Sequence, residues 1–348
     1  MDADVPLPAP TTTCDAAPSR PSSPSAPAAP FDASTPDTNI ILRSSDGIDF
    51  HVYKVILAIV SPILKSMFTI LDDSDTSPAS PQIIPLAENA STLEHVLRLC
   101  YPVPRTPITS PDELVATSDA VTKYEMTALR PSLEQDLRAL LLSGADPLRI
   151  YSVACLCRFD SVAHEAARRT LEKPRHLQPR DAAIPPEFAQ LSATVLFALI
   201  DYRRRCAEAA AAAVGDGDWM VFGEHPKKVT GFWFGNASNM PVVDGSWAWL
   251  ACNVDGDASF VSTIRTHGMR VRMWFGLYTE DAMKALLDEP HLKGEAVARP
   301  AVLRRALEGA DSCSRCRTTA WKDLLDYSHL LAGRIDAAVS NVRLELPF

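Results

Sequence analysis

Asp37-Thr38-Asn39-Ile40-Ile41-Leu42-Arg43-Ser44-Ser45-Asp46-Gly47-Ile48-Asp49-Phe50-His51-Val52-Tyr53-Lys54 decides how this chain begins to fold. Ile40 and Leu42 share one face of an extended segment, and Ile48, Phe50 and Val52 share one face of a second. Ser44-Ser45-Asp46-Gly47 between them carries turn chemistry, so the stretch predicts a β-hairpin. Val55-Ile56-Leu57-Ala58-Ile59-Val60 follows and is apolar on every side. A helix of that kind belongs in a core or at a subunit interface. Ser61-Pro62 then restarts a helix, with Ser61 as the cap and Pro62 at its first position. That helix runs through Leu64 and Lys65 to Met67-Phe68.

Beyond a polar loop over Asp72–Pro81, Ile83-Ile84-Pro85-Leu86 predicts a short strand. Ser91-Thr92-Leu93-Glu94 has the spacing of a capping box opening a helix to Cys100-Tyr101. Pro102, Pro104 and Pro107 enforce an extended connector, and Ser110-Pro111-Asp112-Glu113 is a second capping box. Leu129, Leu133, Leu137 and Leu140 recur at helical spacing up to residue 143. Strands followed by helices, one more strand and a helical close make an α+β arrangement, not a doubly wound sheet. On the other side of the hairpin, residues 1–36 are rich in Pro, Ala, Ser and Thr. Such a segment buries too little apolar area to offset its ordering entropy, so a disordered tail is expected there.

The order of these motifs resembles that of a BTB/POZ domain, a small sheet with surrounding helices. The resemblance rests on Asp37 before the first strand, Phe50-His51-Val52-Tyr53-Lys54, Ile56-Leu57-Ala58, Ser61 and Met67-Phe68. It continues through Ile84-Pro85-Leu86, Leu97-Arg98-Leu99-Cys100-Tyr101 and Ala120-Val121-Thr122-Lys123-Tyr124-Glu125-Met126. Tyr53 stands where the family usually has His, and Leu64 where it usually has Phe; both changes keep size or apolar character.

The resemblance implies assembly and not catalysis. Family members dimerise with themselves or with other BTB chains; here self-association is expected through the hairpin and the Val55–Val60 helix, whose all-round apolar surface a small domain cannot cover, with Val55, Ile56, Ile59 and Val60 at the face. Several branches also dock a cullin scaffold of a ubiquitin ligase, using an apolar residue followed two positions later by Glu. The equivalent tract here is Leu71-Asp72-Asp73 beside Met67-Phe68, with a shorter acid than the family uses. An adaptor of this kind would hold a client protein elsewhere on the chain. A BTB-type transcriptional regulator is the alternative, although it would call for a DNA-binding module such as paired zinc fingers, which the sequence lacks.

Residues 144–214 predict an all-helical extension of the kind that follows BTB domains in many adaptors. Asp146-Pro147 caps its start, and Leu191, Val195, Leu196, Leu199 and Tyr202 mark its last helix. Its Asp-Pro-Leu-Arg-x-Tyr and Tyr-Arg-Arg-Arg-Cys stretches, at Asp146–Tyr151 and Tyr202–Cys206, are similar to those of a set of fungal BTB proteins. Residues 215–348 are expected to form a small Trp-rich α+β domain. Five of the six tryptophans lie between Trp219 and Trp274, where aromatic burial favours a core of short strands over a ligand cage. An amphipathic helix closes the chain, with Trp321, Leu324, Leu325, Leu331, Ile335 and Val339 on one stripe.

Of the 348 residues 47% are hydrophobic and 22% charged, which is ample for folded cores. The net charge of −9 argues against a phosphate backbone as partner. The short basic runs, Arg203-Arg204-Arg205, Lys227-Lys228 and Arg304-Arg305, read as solvated faces. No apolar run approaches the ~18 residues a bilayer requires. The start lacks a signal peptide's basic end and apolar core, so a cytoplasmic or nuclear home is expected.

Eight scattered cysteines show no disulfide-scaffold spacing. Cys313-Ser314-Arg315-Cys316 alone carries chemical promise. It fits a redox pair at a helix start, half of a zinc site lacking its other two ligands, or an inert reduced pair. Cys252, His225, His267 and His291 have no paired spacing, and no nucleotide, metalloprotease or nucleophile-elbow motif is present. Neither catalytic residue, metal nor cofactor is expected. A redox enzyme using Cys313 and Cys316 is the weakest alternative.

Overall fold

The computed structural model describes residues 27, 29–72, 81–172, 184–216, 247–251, 271–288 and 293–348. They fall into two compact units: residues 1–106 with 119–130, and residues 107–118 with 131–348.

The first unit is built on a three-stranded sheet. β1 (Ile40–Arg43) pairs antiparallel with β2 (Asp49–Val52) and parallel with β3 (Gln82–Pro85), giving the order β2-β1-β3. The expected hairpin is therefore present. Gly47 takes φ +86° in its turn, a conformation that glycine adopts without steric cost. Ser44 Oγ accepts from the Ile48 amide at 2.9 Å, and Asp46 Oδ1 accepts from the Ala90 amide at 3.0 Å, tying the turn to the next helix. Ile40, Leu42, Phe50, Val52 and Ile84 are the buried face residues of the sheet.

α1 (Lys54–Val60) and α2 (Pro62–Asp72) are separated by Ser61, which is fully buried. Its hydroxyl accepts from the Leu64 amide at 3.0 Å, so Ser61 caps α2 as the Ser-Pro pair predicts. α3 (Ala90–Cys100) starts two residues earlier than the Ser91 capping box implied. Its cap is Asn89, whose Oδ1 accepts from the Thr92 amide at 2.9 Å; Asn competes with Ser on equal terms for that role.

The tail boundary also moves. Residues 1–26 lie outside the described residues, but Phe31 is fully buried. Its ring meets Tyr101 edge-on at 5.1 Å, and the Arg98 guanidinium stands 5.8 Å from its centroid. The Phe31 carbonyl accepts from the His51 amide at 2.9 Å, covering part of the outer edge of β2. Order therefore precedes Asp37, because one aromatic anchor outweighs the surrounding Pro/Ser composition.

α4 (Pro111–Lys123) divides between the units, its first eight residues with the second and the rest with the first. A 3-10 turn (Thr127–Leu129) leads to α5 (Arg130–Leu142), which buries Leu133, Leu137 and Leu141 within the second unit. Asp146 caps α6 (Pro147–Leu156) by accepting from the Leu148 amide at 3.3 Å, with Pro147 at the first position. Arg158, at φ +54°, breaks the chain before α7 (Asp160–Thr170), so the expected one or two helices are two. α8 (Ala193–Gly215) follows and buries Val195, Leu199, Tyr202, Cys206, Ala210 and Val214 at helical spacing.

In residues 215–348 the described elements are helices: α9 (Ala248–Ala251), α10 (Met273–Asp288), α11 (Pro300–Ala310) and α12 (Cys316–Ser340), with a 3-10 turn over Gly294–Ala298. Only isolated bridge positions at Asp216 and Arg272 represent strand structure among the described residues there. Trp219 and Trp233 lie outside them. Trp247 stacks on Trp249 at 4.9 Å and Trp249 on Phe275 at 4.1 Å, while Tyr327 of α12 meets Trp249 edge-on at 5.2 Å. These rings are fully buried, so this aromatic group is a core between helices. The closing helix is amphipathic, with Leu324, Leu331, Ile335 and Val339 buried, but Trp321 is 57% exposed. Cys316, Ala320 and Leu324 carry the buried stripe there, which turns Trp321 outward.

Candidate interaction surface

In α1 only Leu57 is buried. Val55 and Ile59 lie four apart and therefore on one side of the helix; they are 64% and 80% exposed, and Ile56 and Val60 are half-buried. Two further exposed apolar side chains in the same unit are Ile70 on α2 and Ile83 on β3. A sequence rich in apolar residues has thus placed one anchor inward and left Val55 and Ile59 toward solvent. Lys54 and Ser61 fix the two ends of α1. The Lys54 amide donates to Asn39 Oδ1 at 2.9 Å, and the Ser61 amide to the Leu57 carbonyl at 2.8 Å.

Tyr53, the departure from the family's His, has a structural task. Its amide donates to the Tyr101 hydroxyl at 2.8 Å, and its own hydroxyl donates to the Pro36 carbonyl at 2.8 Å. Burial pushes the Tyr101 phenol up to about 12, so it stays protonated.

Sequence reasoning also placed Met67, Phe68, Leu71, Asp72 and Asp73 at a partner face. Met67 is half-buried on α2. Phe68 is 2% exposed, with the Lys54 ammonium 5.7 Å from its ring centroid, so it anchors α2 in the core and offers no surface of its own. Leu71 and Asp72 are the last residues of α2, with their side chains outside the described residues, as is Asp73 altogether.

The same unit holds a charged group that the sequence did not announce. Glu88 accepts from Lys123 Nζ at 2.7 Å and from the Tyr124 hydroxyl at 2.6 Å. Burial works against its charge, yet the bonds from Lys123 and Tyr124 hold its carboxyl below the usual range. Lys123-Tyr124 could be read as part of a family motif; its partner, 35 residues away, has no local signal.

Residues 32–141 match the family model of the BTB/POZ domain. The chain carries a BTB/POZ domain. The match covers the strands, the α1–α2 pair and the helices through most of α5, and it characterises that part of the chain. No curated protein matches. A BTB/POZ domain is a protein-interaction domain, so the exposed side of α1 lies on a fold whose general role is binding other chains.

The other candidates fall outside this domain. The basic run of α8 is occupied within the chain: Arg203 donates to the Thr170 carbonyl at 2.6 Å, Arg204 pairs with Asp201 and Glu208, and Arg205 reaches Glu345 at 3.3 Å. Burial lowers the pKa of Arg203. Arg305 likewise pairs with Glu280 and Asp281, and Lys227-Lys228 lie outside the described residues. No helix among the described residues is long and apolar enough to cross a membrane. Nor does any group of three or more His, Cys, Asp and Glu side chains among them gather as metal ligands. His225, Cys252, His267 and His291 lie outside that set.

Proposed function

We propose that the protein is an interaction adaptor that self-associates through the exposed side of α1 in its BTB/POZ domain. The observation that carries this reading is the exposure of Val55 and Ile59 on a short helix that is apolar at every position after Lys54. Ile56 and Val60 flank them at the rim, and partners include a second copy or another BTB chain. Burying such side chains contributes about 1.5–3 kcal/mol each, which favours a dimer over continued hydration. Sedimentation equilibrium of the full chain tests it. A monomer–dimer equilibrium is expected, shifted to monomer by Ile59→Lys; a strict monomer at about 50 μM overturns it.

A cullin scaffold is the second partner of the proposal, docked at the end of α2 by Leu71, with Asp72 and Asp73 at the rim and Met67 beside them. The support is the position of Leu71 and Asp72 as the terminal residues of α2. Phe68 serves here by fixing the helix from inside. Capture of the cullin by wild type and not by Leu71→Arg is the expected result; equal capture, or none, removes this docking mode. The helices beyond residue 143 then have the role of holding a client protein. A role as a transcriptional regulator would use the same dimer.

A further inference from the structure

Cys313 and Cys316 stand at the start of α12, and the structure gives them unequal surroundings. Cys313 is partly exposed and precedes the helix, while Cys316 is its first residue and 1% exposed. The Arg317 amide donates to the Cys313 carbonyl at 2.9 Å, so the chain already turns helically from Cys313 onward. Residues three apart in such a turn lie on one side of it. Arg272, 41 residues away and 2% exposed, extends Nη2 to within 3.7 Å of Cys313 Sγ as a hydrogen-bond donor. A guanidinium against a sulfur favours the thiolate, as does the partial positive charge at a helix N-terminus. One accessible sulfur facing a fixed cation, with a second shielded sulfur one turn on, is the arrangement that separates an attacking thiol from a resolving thiol.

We propose that Cys313 and Cys316 are a reversible thiol–disulfide site that reacts with hydroperoxides, Cys313 attacking and Cys316 resolving. The Cys313 thiolate attacks one peroxide oxygen, the O–O bond breaks, and the departing oxygen leaves as water or alcohol after taking a proton. Cys313 is then a sulfenic acid. Cys316 attacks its sulfur, the S–S bond forms, and the hydroxyl departs as water with the Cys316 proton. Two thiols lose two electrons and the peroxide gains them. A small dithiol reverses the change by exchange, becoming a disulfide itself. The Arg272 guanidinium is a positioning group that holds the Cys313 sulfur as its anion.

The test uses the full-length protein, hydrogen peroxide and peptide-resolved mass spectrometry. Cys100 is the internal comparison, since it is also partly exposed while burial pushes its thiol up to about 12. Before oxidation, iodoacetamide is expected to label Cys313 at least about tenfold faster than Cys100 at neutral pH. After peroxide the peptide linking Cys313 to Cys316 should appear, and dithiothreitol should remove it. Cys316→Ser should leave a Cys313 sulfenic acid that dimedone traps. Arg272→Met should slow Cys313 labelling at least about fivefold while leaving Cys100 unchanged. Should that variant fail to fold, the Cys316→Ser trapping decides. Equal labelling of Cys313 and Cys100, absence of the linked peptide, or linkage of Cys313 to Cys252 in its place overturns the proposal.

Discussion

Ser61 Oγ donates to the carbonyl oxygen of Tyr124 at 2.7 Å, a buried bond between residues 63 apart in sequence. The same hydroxyl accepts from the Leu64 amide, so one side chain both caps α2 and holds the end of α4. Ser61→Ala removes both bonds and leaves the Tyr124 carbonyl without its hydroxyl donor. The expected loss is about 2–3 kcal/mol. Hydrogen exchange of residues 61–68 and 120–126 in increasing denaturant measures it, and unchanged protection there would refute the dual role.

The Glu88 carboxylate gives the first unit an acid-sensitive component. Because its pKa is lower folded than unfolded, its contribution is present above the ordinary carboxylate range and is lost as pH falls through the folded value. Exchange protection around Glu88, Lys123 and Tyr124 should therefore weaken between about pH 5 and pH 3. Glu88→Gln should be less protected at neutral pH and should flatten that dependence. An acid response of equal size in both proteins would place the titrating group elsewhere.

Phe31→Ala is expected to cost about 3–4 kcal/mol, the range for emptying a buried aromatic site. Phe31→Leu, which retains most of the apolar volume, should cost under half of that. Denaturant unfolding followed by tyrosine fluorescence or exchange of residues 49–53 provides the comparison. A tail residue without packing would give no difference among the three proteins.

Gly294→Ala probes the second unit. A methyl group on Gly294 would overlap the backbone of Ala332 in α12, and the Gly294 amide donates to Asp336 Oδ1 at 2.9 Å. The atoms it would meet are all backbone, so the helix must shift. The expected cost is about 3 kcal/mol, at the upper end for overpacking. The described tryptophans, Trp247, Trp249, Trp274 and Trp321, lie in this unit and the sequence has none before residue 131, so tryptophan fluorescence follows its unfolding. Gly333→Ala, on a glycine with open space around it, should be nearly neutral.

Local signals are legible in the sequence where they are chemically specific. Asp46-Gly47, Ser61-Pro62 and Asp146-Pro147 each set a turn or helix start that the structure contains. Asn89 and Ser91 are both good caps within three residues, and only the fold chooses between them. Phe31 was hidden by composition, because averaging over a Pro- and Ser-rich window dilutes a single anchor. The aromatics between Trp247 and Tyr278 announced a core but not its element type, for burial energy is indifferent to whether a helix or a strand supplies the ring. Pairings such as Glu88 with Lys123 and Arg272 with Cys313 join distant positions, and periodicity says nothing about them.

α4 begins in one unit and ends in the other, and the residues on either side of it alternate between the two. Along the sequence, the segments of the second unit thus bracket a piece of the first. No single cut of the polypeptide separates them. A fragment ending at residue 141 would contain the whole family match yet strip Leu133, Leu137 and Leu141 of their packing neighbours. Such a fragment should be sticky for reasons unrelated to any native partner. In inheritance the same interleaving means that the two parts travel together, since no exchange at a single breakpoint delivers both of them whole.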